Sequence, residues 1–130
     1  MPAAVGLALA EKKSGRNRPV IAITGDGSFQ YSVQAVYTAV QQRAHVIFVV
    51  IQNEEYAILK EFSELEATPN VPGLDPLGID LVAIGKGCGA RSVRAEGVDE
   101  IAAALVSAQT FAGTSVISIP GTKGLRPLLG

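Results

Sequence analysis

The chain holds a single cysteine, Cys88, and a single histidine, His45. One cysteine excludes an internal disulfide and makes a reducing, cytoplasmic setting the simpler expectation. One histidine makes a His-rich zinc site hard to build, and likewise a Ser-His-Asp triad. The net charge is only −1. With no strongly basic face, nucleic acid is not an expected partner. Apolar runs such as Val46–Ile51 fall far short of the ~20 residues a membrane-spanning helix needs. No charged stretch leads into an apolar one at the start, so no secretory signal is visible. No internal repeat or low-complexity segment stands out.

What the chain does have is apolar mass: 48% of its 130 residues are hydrophobic. That supports a real core in one domain. Pro2 to Lys13 reads as a helix, with Pro2 in the first turn and a face of Ala and Gly suited to close packing. Ser14 to Pro19 is a polar, basic loop. Val20 to Thr24 and Val46 to Ile51 are near-continuous apolar runs, the pattern of strands buried on both faces. Between them, Ser28 is the expected N-cap of a helix over Phe29 to Arg43. A helix is expected over Glu54 to Glu66, with Tyr56, Ile58, Leu59 and Phe62 at helical spacing. Thr68 to Ile79 is a Pro/Gly-rich connection. Asp80 caps a short helix, Leu81 to Lys86, stopped by the cluster Gly85, Gly87 and Gly89. Ala90 to Arg94 is a weak strand, Val98 to Gln109 a helix with Ile101, Leu105 and Ala108 inward, and Ser115 to Ile119 a last strand. Residues 121–130 read as a tail. Alternating helices and short apolar strands predict an α/β fold, an open parallel sheet with helices on both faces.

Two strand ends carry the chemistry. Gly25-Asp26-Gly27-Ser28 follows the first strand, and Gln52-Asn53 follows the second. One helix-length segment separates them, as in a parallel crossover, so both polar ends emerge on one sheet edge. A carboxylate, an amide oxygen and a backbone carbonyl such as that of Glu55 suit a hard cation shared with phosphate. Gly25 and Gly27 let the backbone approach a ligand, and the start of the following helix favours phosphate. Taken singly, Gly-Asp-Gly is a common turn, and Asn53 could end its strand through a side-chain turn. Other signals fail. Gly78 to Lys86 has the wrong spacing for a phosphate loop and no Ser or Thr after the Lys. Glu54, Glu55, Glu61, Glu64 and Glu66 read as a solvated helix face. Cys88 reads as a small packed residue, and His45 as a loop residue away from the ligand edge.

Gly25-Asp26-Gly27-Ser28, followed after residues 28–52 by Asn53, resembles the signature of thiamine-diphosphate-dependent enzymes. The resemblance spans almost the whole chain. The Met1–Gly6 stretch looks like the small-residue helix before that signature. Tyr31 to Ala35, Val71 to Pro76 and Gly78 to Asp80 look most like the benzoylformate decarboxylase branch. By that resemblance the fold is the thiamine-diphosphate-binding one, short of its N-terminal portion, and residues 1–130 are a single partial domain. The cofactors implied are thiamine diphosphate and Mg2+. Asp26 and Asn53 would ligate the metal by side chain, and Glu55 by its backbone carbonyl. Gly25, Gly27 and Ser28 would contact the diphosphate, Tyr56 would close over it, and Leu59 and Phe62 would face the substrate. No catalytic residue is assigned here. The pyrimidine-binding domain of a partner subunit would supply the activating glutamate, in a homo-oligomer acting on a 2-keto acid. An acetolactate synthase-like carboligase and a non-catalytic assembly domain are the alternatives. The helix beginning at residue two suggests a piece of a longer protein, expected to be inactive alone and to self-associate through exposed apolar surface. Gln52 stands where the first Asn of the family's usual pair stands.

Overall fold

A computed structural model describes residues 1–76 and 78–124. Four parallel strands form one sheet: β1 (Val20–Gly25), β2 (Val46–Gln52), β3 (Arg91–Arg94) and β4 (Ser115–Pro120), in the order β1-β2-β4-β3. The register runs Val20 opposite Val46 and Gly25 opposite Ile51. It continues as Ile47 opposite Ser115, and Arg91 opposite Ser115 from the other side. β2 and β4 are therefore central and largely buried, as the apolar run of β2 predicts, whereas β1, also expected to be buried on both faces, lies at the edge of the sheet with Ile21 and Ile23 exposed. Among the described residues no helix is long and apolar enough to cross a membrane.

Among the described residues six helices flank the sheet: α1 (Pro2–Lys13), α2 (Asp26–Gln30), α3 (Gln34–Gln41), α4 (Ala57–Leu65), α5 (Leu81–Gly87) and α6 (Gly97–Thr110). One face carries the larger core. There Val5 and Ala8 of α1, Phe29, Val36, Ala39 and Leu81 pack on Val46, Phe48, Val50 and Val116. The other face carries α6, whose Ile101, Ala104, Leu105 and Ala108 pack on Ile47, Val49 and Ile117. The open parallel sheet with helices on both faces is thus present.

Four local expectations differ from the structure. The helix expected over Phe29–Arg43 is two helices, α2 and α3, separated by a turn at residues 31–33. Ser28 lies inside α2 rather than capping it; Gly25 is the N-cap. The helix expected from Glu54 begins only at Ala57, because Glu54 adopts φ 56° and residues 54–56 bend instead. Gly85 does not stop α5: it packs against β3, where an added Cβ would collide with Ser92 and lie 3.1 Å from Val116 Cγ2. Asp80 does cap α5, its Oδ1 accepting from the Ala83 N–H at 2.8 Å. Residues 121–124 form no regular element but are tied back, with the Gly121 N–H donating to Gln52 O at 2.8 Å. Residues 125–130 of the expected tail lie outside the described residues.

The basic loop before β1 is anchored by one acid. Glu11, buried on α1, accepts from Arg16 at 3.0 and 3.2 Å and from Arg18 at 2.8 and 2.9 Å. The hydrogen bonds from Arg18 and then Arg16 pull its carboxyl down to about 2 from an ordinary 4.5. A depressed carboxyl adds stability that is full above the ordinary value and fades as pH falls through the lowered one. Wild type is therefore expected to exceed Glu11→Gln in urea midpoint near neutral pH. The gap should close as pH falls from about 4.5 toward about 2. A gap that stays constant across that range contradicts the pairing.

α6 covers β2 and β4 but leaves β1 bare on that face. Ile23 is 74% exposed and Ile21 45%. Such an apolar strip favours association. Light scattering should show mass rising with concentration, and Ile23→Lys should reduce that rise. A wild type that stays monomeric at every concentration would count against it.

Candidate functional site

β1 ends at Gly25 beside Ile51 of β2, so Asp26 and Asn53 leave the sheet at the same edge. Asp26 is 2% exposed. Its Oδ1 accepts from the Gly27 N–H at 2.8 Å, and its Oδ2 from the Glu54 N–H at 2.7 Å. The carboxylate thus ties the turn after β1 to the bend after β2, and the second bond accounts for the left-handed Glu54. Each oxygen keeps a free lone pair. Among the described residues no Lys or Arg pairs with Asp26. A buried carboxylate without a counter-charge is costly, so this one calls for a cation.

The donors for such a cation are oxygens. Among the described residues no three His, Cys, Asp or Glu side chains group into a metal cage. What lies at this edge is one carboxylate, the half-buried Asn53 amide and the backbone of residues 54 and 55. That donor set fits a hard ion that keeps part of its shell for phosphate and water. Gly27 is buried beneath the Tyr56 ring, and an added Cβ there would run into that ring. Tyr31 stacks on Tyr56 with ring centroids 6.3 Å apart. The Tyr56 hydroxyl is raised above its ordinary value, first by the neighbouring Tyr31 hydroxyl and then by burial. Gly25 and Ser28 are exposed at the same turn. α2 is only five residues long and starts at Asp26, so the long helix expected to follow Ser28 does not open at this turn.

The side chain of Glu55 departs from the solvated face expected of it. It is 8% exposed, its Oε2 accepts from Lys60 Nζ at 3.2 Å, and its Oε1 accepts from the Gly124 N–H at 2.9 Å. The Gly124 bond first, and then Lys60, hold the carboxyl below its ordinary range against the opposing effect of burial. Lys60 also pairs with Asp75 at 2.5 Å, which fastens α4 to the Pro/Gly-rich connection. The Tyr56 N–H donates to Leu74 O at 2.8 Å and strengthens that link. The side chain being so engaged, Glu55 has only its carbonyl to offer a metal. α4 buries none of its residues, and Leu59 and Phe62 stand 45% and 49% exposed beside the site.

Gln52, the departure from the doubled Asn, has a structural account. Its Nε2 donates to Ile79 O at 2.9 Å, and its Oε1 accepts from Ser118 Oγ at 2.9 Å and from Arg94 at 3.4 Å. It braces the connection against β4 and β3 and leaves the edge to Asn53. Lys60 and Asp75 were not singled out as site residues from the sequence; their pairing spans residues 60 to 75, and no local spacing marks it. His45 lies at the opposite edge, its Nε2 3.4 Å from Ala108 O. Cys88 packs against the larger core. Both match expectation.

A parallel α/β domain with an oxygen-lined, acid-bearing strand edge belongs to the class that holds phosphate-bearing ligands. Comparison narrows the class. A family model, "Thiamine pyrophosphate enzyme, C-terminal TPP binding domain", matches residues 1–119. The chain belongs to this thiamine pyrophosphate enzyme family. It is similar to the benzoylformate decarboxylase of Pseudomonas aeruginosa, 35% identical over 127 residues covering 98% of this chain and 23% of that one. The acetolactate synthase of Bacillus subtilis is 28% identical over 120 residues, covering 92% and 20%. Among solved structures, a benzoylformate decarboxylase from Polynucleobacter necessarius superposes with TM-score 0.93 and 64% identity, over 97% of this chain and 24% of that one. The chain spans about a quarter of the length of these relatives.

Asp26→Ala would orphan two N–H groups at once. It is expected to lower unfolding free energy by about 2 kcal/mol, read from urea denaturation. A value within experimental error of wild type would show that Asp26 does not tie the two loops.

Proposed function

We propose that this domain is the metal and diphosphate anchor of a thiamine-diphosphate-dependent 2-keto acid decarboxylase resembling benzoylformate decarboxylase. The observation that carries the reading is the buried Asp26 carboxylate, without a cationic partner among the described residues, beside Asn53. Asp26 and Asn53 hold Mg2+ by side chain and Glu55 by its carbonyl. Gly25, Gly27 and Ser28 face the diphosphate, with Tyr56 over it. When bound, the cofactor supplies the carbanion and electron sink that decarboxylation of a 2-keto acid requires. This chain's own residues bind and orient its diphosphate end. Lys60 holds Glu55 and the α4 bend in place. Leu59 and Phe62 face the substrate side.

The activating glutamate comes from the pyrimidine-binding domain of a partner subunit, in a cytoplasmic homo-oligomer. The similarity to acetolactate synthase keeps a carboligase as the second reading; substrate-pocket residues outside this chain decide between them.

Thermal-shift titration tests the anchor. Thiamine diphosphate with Mg2+ is expected to raise the melting temperature more than either alone, and Asn53→Ala should abolish the increment. The 130 residues alone should release no carbon dioxide from benzoylformate. No increment in wild type, or an equal one in Asn53→Ala, would overturn the assignment.

A further inference from the structure

A second cavity lies on the α6 face, away from the strand edge that carries Asp26. Because α6 sits over β2 and β4, a groove of about 280 Å3 remains between α6 and β3. Its helix wall is small, Ala103, Ala104 and Ser107, and its strand wall includes Arg91, Val93 and Ser115. Small residues alone would be mere spacing. The independent observation is at the floor: Ser115 is 2% exposed, lines the groove, and its Oγ is the one buried side-chain polar atom without a hydrogen-bond partner among the described residues. An unmet buried hydroxyl costs stability and asks for a partner.

Charge identifies that partner. Arg91 is the register neighbour of Ser115, so guanidinium and hydroxyl flank one end of the groove. Arg94 is paired to Glu96 at 2.7 Å, and Glu100, at the groove's other end, accepts from the Glu96 N–H at 2.8 Å. Arg91 has no carboxylate partner among the described residues and instead lies over the Phe111 ring, 5.4 Å from its centroid. A guanidinium beside a free hydroxyl, backed by an apolar wall, recognises a carboxylate on an apolar body.

We propose that the groove between α6 and β3 binds a small apolar carboxylic acid, its carboxylate on Arg91 and Ser115 and its body against Ala103, Ala104 and Val93. This site is separate from the diphosphate anchor and does not depend on it.

Amide chemical shifts of the chain, titrated with benzoate, test it. Saturable shifts are expected at Arg91, Ala104 and Ser115. Arg91→Gln and Ser115→Ala should each weaken binding about tenfold, and benzyl alcohol, which lacks the charge, should bind more weakly than benzoate. Ala103→Leu, at an exposed position that fills the groove, should abolish the shifts while keeping the melting temperature. Absence of saturation overturns the proposal. So does binding that both Arg91→Gln and Ala103→Leu leave unchanged, and so do shifts confined to the Asp26 and Asn53 edge.

Discussion

The carboxylate of Asp26, accepting at once from the backbone of its own turn and from that of Glu54, is the constraint on which the functional edge depends. Parallel pairing brings β1 and β2 side by side but leaves the loops beyond them free. A single short side chain closes that freedom. It holds the N–H of the left-handed Glu54 at the bend before α4, which starts three residues later than expected, and Asn53 leaves the sheet at the same edge. The same burial removes water from a negative group, so the edge is poised to take a cation rather than merely to tolerate one.

Around that constraint the rest of the edge is braced by polar contacts distant in sequence. Gln52 binds the connection at Ile79 and the strand at Ser118. Glu55 and Lys60 fasten the base of α4 to Asp75 and to residue 124. The outcome is a strand edge braced by these contacts next to an α4 that buries nothing. Such an exposed apolar helix, together with the bare isoleucines of β1, is what a domain shows when neighbouring chain or a partner completes it. The relatives, about four times as long, fit that picture.

Much of this was legible in the sequence. The continuous apolar run Val46 to Ile51 marked β2 because a central parallel strand is buried on both faces, and the polar ends of two runs marked the edge; the same reading of Val20 to Thr24 failed, since β1 lies at the edge of the sheet with one face bare. Asp80 showed its cap by position. The misses share one cause: tertiary contacts overrode local pattern. The apolar spacing from Phe29 to Val40 looks like one helix, yet α2 ends at Gln30 and α3 begins at Gln34. Glu54 and Glu55 look like the charged start of a helix, yet one is bent by Asp26 and the other is drawn inward by Lys60 and Gly124. Gly85 reads as a stop signal, yet its lack of a side chain serves close contact with Ser92 and Val116.

The most direct test of the account is an anomalous-scattering crystal structure with Mn2+ and thiamine diphosphate. A metal peak bonded to Asp26 and Asn53 side-chain oxygens and to the Glu55 carbonyl, with diphosphate oxygens completing its shell, is the result expected. A peak at another acid, such as Asp80 or Glu64, with Asp26 still bound only to its two amides, would contradict the assignment of this edge.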